Sequence, residues 1–159
     1  MQNDNTKNSM HDIFGALIAH EDAMAELYQV YETCTGDPTG FWEKLIMEER
    51  AHSAVLKQLH DKFSQKKISV DFSRFNPVAI NTAINYIKKK IEQAKQDGIT
   101  QKAALITARD VEGTIIEHDF FRLYKSRNYS DEKEIDALEE HTAEHFARIT
   151  KELELAGKE

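Results

Sequence analysis

Residues 45–59 read LIMEERAHSAVLKQL, and the five letters EERAH interrupt what is otherwise an apolar helical seam. Stepping by three or four residues from Phe41, the inward positions are Leu45, Glu49, His52, Leu56, Leu59 and Phe63, the recurrence of one helix face. Two of those slots hold a carboxylate and an imidazole. Burying such groups without partners costs on the order of several kcal/mol or forces a change of protonation. A Glu-x-x-His pair offers a reason for the burial. Its side chains lie about 60° apart around the axis and about one turn along it, so both can reach one point between facing helices.

The same interruption recurs on three other seams. From Asp12 to about Thr33 the inward positions are Phe14, Leu17, Glu21, Met24, Tyr28 and Tyr31. CTGDPTG (34–40) then breaks the pattern, with Thr39 the expected N-cap of a second helix starting near Phe41, antiparallel to the first because the connection is short. A long connection follows. It opens with SQKKISVDFSRFNP and contains Ile80, Ile84, Ile87 and Ile91, which predict an extra amphipathic helix over 77–96 that starts at Asn76-Pro77 and stops at Asp97-Gly98. Thr100 then caps a helix with the seam Leu105, Ala108, Glu112, Ile115 or Ile116, Phe120 and Leu123. After SRNYSDE, the last helix carries Ile135, Leu138, Thr142, His145, Ile149 and Leu153.

Two short-linked helical hairpins joined by one long crossover predict an all-α, ferritin-like four-helix bundle with an extra short helix in the crossover. The 159 residues form one expected domain, with 1–10 a polar N-terminal tail. Only six Gly and two Pro interrupt a sequence rich in helix formers. A single cysteine, Cys34, excludes an internal disulfide and any Cys-x-x-Cys metal site within the chain. The polar start lacks the pattern of a secretory signal, and no apolar run is long enough for a membrane span, so a soluble cytoplasmic protein is expected. The net charge of −7 argues against a nucleic-acid partner, although 64–102 is locally basic.

Glu21, Glu49 with His52, Glu112 and His145 therefore place ionisable groups near mid-length on each of four expected helices. Carboxylates with imidazoles and no thiolate suit iron or manganese, with zinc also compatible. In di-iron carboxylate bundles the full set is one Glu from each of two helices and one Glu-x-x-His from each of the other two.

On HEDAMAELYQVY (20–31), FWEKLIMEERAHSAVLKQL (41–59), ARDVEGTIIEHDFF (108–121) and EEHTAEHFARI (139–149), the chain resembles the rubrerythrin-type di-iron proteins of the ferritin-like superfamily. The resemblance implies that Glu21 and Glu112 are metal ligands, Glu112 also a candidate bridge. It implies that Glu49 bridges or chelates, that His52 and His145 each cap one metal, and that Tyr28 packs beside the site or hydrogen-bonds a ligand. It further implies a homodimer, a di-iron cofactor and the reduction of peroxide or dioxygen. Iron binding or storage, or a degenerate bundle acting as a structural partner, are the alternatives.

Two departures stand out. Rubrerythrins carry a rubredoxin-like iron domain with two cysteine pairs; with one cysteine here, an external electron donor is expected. The position three residues before His145 is Thr142 where the pattern has Glu. Thr142 lies near the seam, His141 roughly 80° from its centre, and Glu140 and Glu144 further away. His141 is the expected substitute ligand, with Glu117 and Asp110 lesser candidates. His11, His20, His60 and His118 are expected at the surface, and Glu48 and Arg50 are expected to face outward.

Overall fold

A computed structural model describes residues 2–68, 77–117 and 129–157, with side chains described over 12–68, 78–114 and 133–157. The chain is all-α: α1 (Gln2–Thr35), α2 (Phe41–Ser64), α3 (Pro77–Asp97), α4 (Gln101–Glu117) and α5 (Tyr129–Ala156), with no strand among the described residues. The first helix, expected from Asp12, already begins at Gln2. No Gly or Pro precedes Gly15, and lengthening an existing helix adds one hydrogen bond for each residue fixed.

The turn between α1 and α2 is built from positive-φ residues, Gly36, Asp37 and Gly40. Gly40 occupies the N-cap of α2 and has no side chain to offer, so the cap expected from Thr39 comes from Asp37. Asp37 Oδ1 accepts the Phe41 amide at 2.8 Å and Oδ2 accepts the Glu43 amide at 3.0 Å. At Gly98 and Thr100 the sequence and structure agree, whereas α5 begins at Tyr129, inside the turn expected over SRNYSDE. Gly98, with φ 69°, follows the end of α3, and Thr100 Oγ1 accepts the Ala103 amide at 3.3 Å at the start of α4.

α1 lies against α2 and α3, α4 lies against α5, and smaller contacts join α1 to α4, α2 to α5 and α3 to α4. Phe14 near one end of α1 meets His60 and Phe63 near the end of α2, while Tyr28 and Tyr31 meet Trp42 near its start. α1 and α2 are therefore antiparallel. The predicted seams are buried at Phe14, Leu17, Met24, Tyr28, Tyr31, Leu45, Leu56, Leu59, Leu105, Ala108, Ile135, Leu138 and Ile149. Ile80, Ile84, Ile87 and Ile91 bury the inner face of α3. The side chains of Ile115, Ile116, Phe120 and Leu123 lie outside the described residues.

Two local features set the register of the helices around the ionisable seam positions. Ser53, next to His52, donates to Asp22 Oδ1, next to Glu21, at 2.6 Å. On the opposite pair, a Cβ at Gly113 would come within 3.2 Å of Phe146 Cε2. A bare glycine beside Glu112 thus admits the ring that neighbours His145. Among the described residues, no helix is long and apolar enough to cross a membrane.

Asp37→Ala removes both capping bonds and puts a β-carbon residue with no αL preference at a φ of 21°. It is expected to lower stability by about 1–2 kcal/mol in denaturant unfolding. Asp37→Asn, which keeps one of the two acceptor oxygens and tolerates the backbone, should recover part of that loss.

Candidate metal centre

The seam positions that looked anomalous converge. Glu21 of α1, Glu49 and His52 of α2, Glu112 of α4 and His145 of α5 are each at most 3% exposed. Ligand atoms of Glu49, His52 and His145 all lie within 4.8 Å of one another. Glu21 and Glu112 flank this group on opposite helices.

The contacts divide into two halves that share one carboxylate. In the first, His52 Nδ1 lies 3.2 Å from Glu49 Oε2 and 3.3 Å from Glu21 Oε2. In the second, His145 Nδ1 lies 2.9 Å from Glu49 Oε1 and 3.5 Å from Glu112 Oε1. Glu49 thus presents one oxygen to each imidazole. Several of these atoms are close without being aligned as donor and acceptor: Glu49 Oε1, His52 Nε2 and both nitrogens of His145 are buried without a hydrogen-bond partner among the described residues. Orphaned carboxylate oxygens and imidazole nitrogens are the donor set that a divalent cation coordinates.

The electrostatics of the cluster follow from this crowding. Burial and the negative charge of Glu112 push the Glu49 carboxyl up to about 7, against the opposing pull of His145 and His52. Burial disfavours a charged His52, yet its contacts with Glu21 and Glu49 outweigh this and push it up to about 9. His145 is likewise opposed by burial and raised by Glu112 and Glu49, to about 10. Burial would raise Glu21, but His20 and His52 together hold it well below the ordinary carboxylate range. Tyr28 is pushed well above its usual value by burial and by the charges of Glu112 and Glu49. It therefore keeps its proton and donates to Glu112 Oε1 at 2.7 Å.

Around this core the sequence expectations divide. Thr142 is buried on the seam, and its hydroxyl turns back to donate to the Leu138 carbonyl at 2.9 Å. It supplies no carboxylate. His141 is exposed, its ring stacked on His52 with centroids 5.6 Å apart, while the other face of the run continues to His145 at 5.2 Å from His52. Glu140 and Glu144 are exposed, and Asp110 is exposed beside Arg109 at 3.2 Å. The side chains of Glu117, His11 and His118 lie outside the described residues.

Two surface assignments are corrected. His20 is 1% exposed and places Nδ1 3.3 Å from Glu21 Oε1, the carboxylate oxygen turned away from His52. It was missed because α1 packs against both α2 and α3 and so buries a wider arc than one seam; Ala23 and Leu27, buried with it, are the sequence signal of that width. Glu48 is only 28% exposed and turns toward His145 and Arg148 rather than outward. Arg50, by contrast, is exposed as expected, and reaches Gln29 at 3.4 Å.

Comparisons with protein-family models, curated proteins and solved structures return no match. The chemistry of the centre is therefore read from its own residues.

The raised values of His52 and His145 exceed the unperturbed histidine value of 6.5. Their contribution to stability is complete below that value and is lost as pH rises through about 9 and 10. Glu49, raised from 4.5 to about 7, acts in the same direction at lower pH. The metal-free protein is accordingly expected to lose thermal stability steadily from about pH 7 to about pH 10, as scanned by calorimetry. His52→Gln and His145→Gln should each flatten part of that slope. A divalent cation must displace the same protons, so its affinity should rise over this window.

Proposed function

We propose that this chain is a ferritin-like, rubrerythrin-type metal protein that holds a pair of iron ions and acts as a non-haem oxidoreductase on peroxide or dioxygen. The finer fold that accompanies this reading is a four-helix bundle of α1, α2, α4 and α5, with α3 in the crossover. One observation carries it: five buried ionisable side chains from four helices meet in two halves that share Glu49. A structural ion cluster explains burial of opposite charges, but it does not explain why carboxylate and imidazole atoms stay unpaired at contact distance.

The residues divide the work as follows. Glu21, Glu49 and His52 would hold one ion, and Glu49, Glu112 and His145 the other. Tyr28 fixes the Glu112 carboxylate through its hydrogen bond, and its retained proton lies within the site. The burial of all five groups keeps bulk water away from them. Iron bound there would supply the change of oxidation state that reduces the oxidant. Reducing equivalents would come from an external donor, because the single Cys34 cannot build a rubredoxin-type site.

Charge ranks the two halves. Two divalent ions bring four positive charges, while Glu21, Glu49 and Glu112 provide three negative ones. Thr142 is where a fourth would stand, so the half built on Glu112 and His145 should bind more weakly. Thr142 also favours a second reading, in which the chain binds iron without redox turnover.

Anaerobic loading with ferrous iron, followed by stopped-flow mixing with peroxide and with dioxygen, tests the proposal. Close to two irons per chain and faster oxidation by peroxide than the free ion shows are the expected results. Failure to retain iron would remove both readings, and retained iron that peroxide and dioxygen leave ferrous would select the second. Thr142→Glu is expected to tighten the weaker ion roughly tenfold or more, a gain of about 1.4 kcal/mol. The same change should lower the melting temperature of the metal-free protein, because it buries another carboxylate.

A further inference from the structure

If His145 uses Nδ1 toward Glu49 and Glu112, its second ring nitrogen must be satisfied elsewhere. Nε2 lies 3.1 Å from Glu48 Oε2, although the imidazole is 1% exposed and Glu48 is 28% exposed. Glu48 and Glu49 are successive residues about 100° apart around α2. One turn of α2 thus places a carboxylate at each end of the same imidazole. The Glu48 carboxylate is itself held in place: Arg148 Nη1 donates to Oε2 at 2.9 Å, and Nη2 to Oε1 at 3.3 Å. Arg148 stands three residues after His145 on α5, on the same face and one turn along.

We infer that Glu48, held by the Arg148 fork, is a positioning residue for His145. It receives the Nε2 hydrogen and fixes the ring so that Nδ1 faces Glu49 and Glu112, and it thereby sets the metal affinity of that half of the centre alone. The inference rests on the metal-binding reading of the centre. A part-exposed Glu–Arg pair by itself contributes little stability and no function. What distinguishes this pair is its third member, a buried imidazole whose Nε2 lies 3.1 Å from Glu48 Oε2, close enough for a hydrogen bond after a small turn of either group. The need for a brace is also local. Thr142 leaves His145, among the described residues, as the one α5 side chain in the convergent set, so no neighbouring α5 carboxylate helps to orient the ring. Among the described residues both carboxylates beside His52 approach Nδ1, and none stands at Nε2 as Glu48 stands at His145. The effect should therefore be confined to the His145 half. Outer carboxylates that hold a ligating imidazole typically change metal affinity by about 10- to 100-fold when removed.

The test compares the full chain with Glu48→Ala, Glu48→Gln and Arg148→Ala, using zinc titration calorimetry and imidazole-selective proton–nitrogen NMR of the metal-free and zinc-loaded proteins. The wild-type chain is expected to bind zinc in two classes. Glu48→Ala should weaken one class about 10- to 100-fold and leave the other unchanged. Glu48→Gln, which keeps an acceptor oxygen, should recover most of the loss, and Arg148→Ala should weaken the same class by less. An exchange-protected Nε2 hydrogen of His145 is expected in the wild type and in Glu48→Gln, and is expected to vanish in Glu48→Ala. Unchanged affinities, a loss shared equally by both classes, or a His145 resonance indifferent to Glu48 would each overturn the inference. If the wild type binds no zinc, the metal-binding reading fails separately. In that case persistence of the His145 resonance in metal-free Glu48→Ala overturns the brace, and its loss upholds the brace. Should Glu48→Ala fail to fold, the Arg148→Ala and Glu48→Gln chains carry the same comparison.

Discussion

Charge buried at mid-length between helices is the constraint on which the arrangement depends. Three carboxylates and three imidazoles, His20 among them, are withdrawn from water around one level of the fold, and a charged group alone would be strongly unfavourable there. They are tolerated because α1, α2, α4 and α5 are held in a register that sets opposite charges side by side. Such clusters contribute little net stability against an apolar filling of similar volume. The stability must come from the layers on either side, where Phe14 packs on Phe63 toward one end and Tyr28 and Tyr31 pack on Trp42 toward the other. The apolar layers fix the helices, and the fixed helices keep the charged layer in place.

The all-helical fold and the inward direction of the charged seam residues were legible because they depend on periodicity. Glu21, Glu49, His52, Glu112 and His145 sit at three- and four-residue steps among apolar neighbours, and all are buried. Thr142 and His141 also fall where a 100° step puts them, one buried and one exposed. What periodicity cannot give is the number of neighbours a helix has. α1 touches α2, α3 and α4, which draws His20 inside although it lies off the principal seam. Nor does it give long side chains their direction. Glu48 leaves α2 beside the seam, and its carboxylate is turned inward by an arginine one hundred residues away in the chain. The Asp37 cap was similarly hidden, since it depends on a turn whose backbone angles no seam encodes.

His145 shows how neighbouring residues on one helix can have separate duties. Glu49 approaches one ring nitrogen from within the buried cluster, and Glu48 approaches the other from its part-exposed edge. The same imidazole therefore joins the interior to the rim of the protein. Its partner His52 lacks that second carboxylate and is instead covered by the stacked ring of His141. The two halves are alike in their inner contacts and unlike in what surrounds them.

Glu49 has a thermodynamic consequence of its own. Because its two oxygens serve different imidazoles, the two halves do not take up protons independently. Whatever a proton at the His52 end does to the free energy of protonation at the His145 end, the His145 end must do in return, by the same factor. A single side chain thus makes the two halves one reciprocal unit, whose titration belongs to the pair.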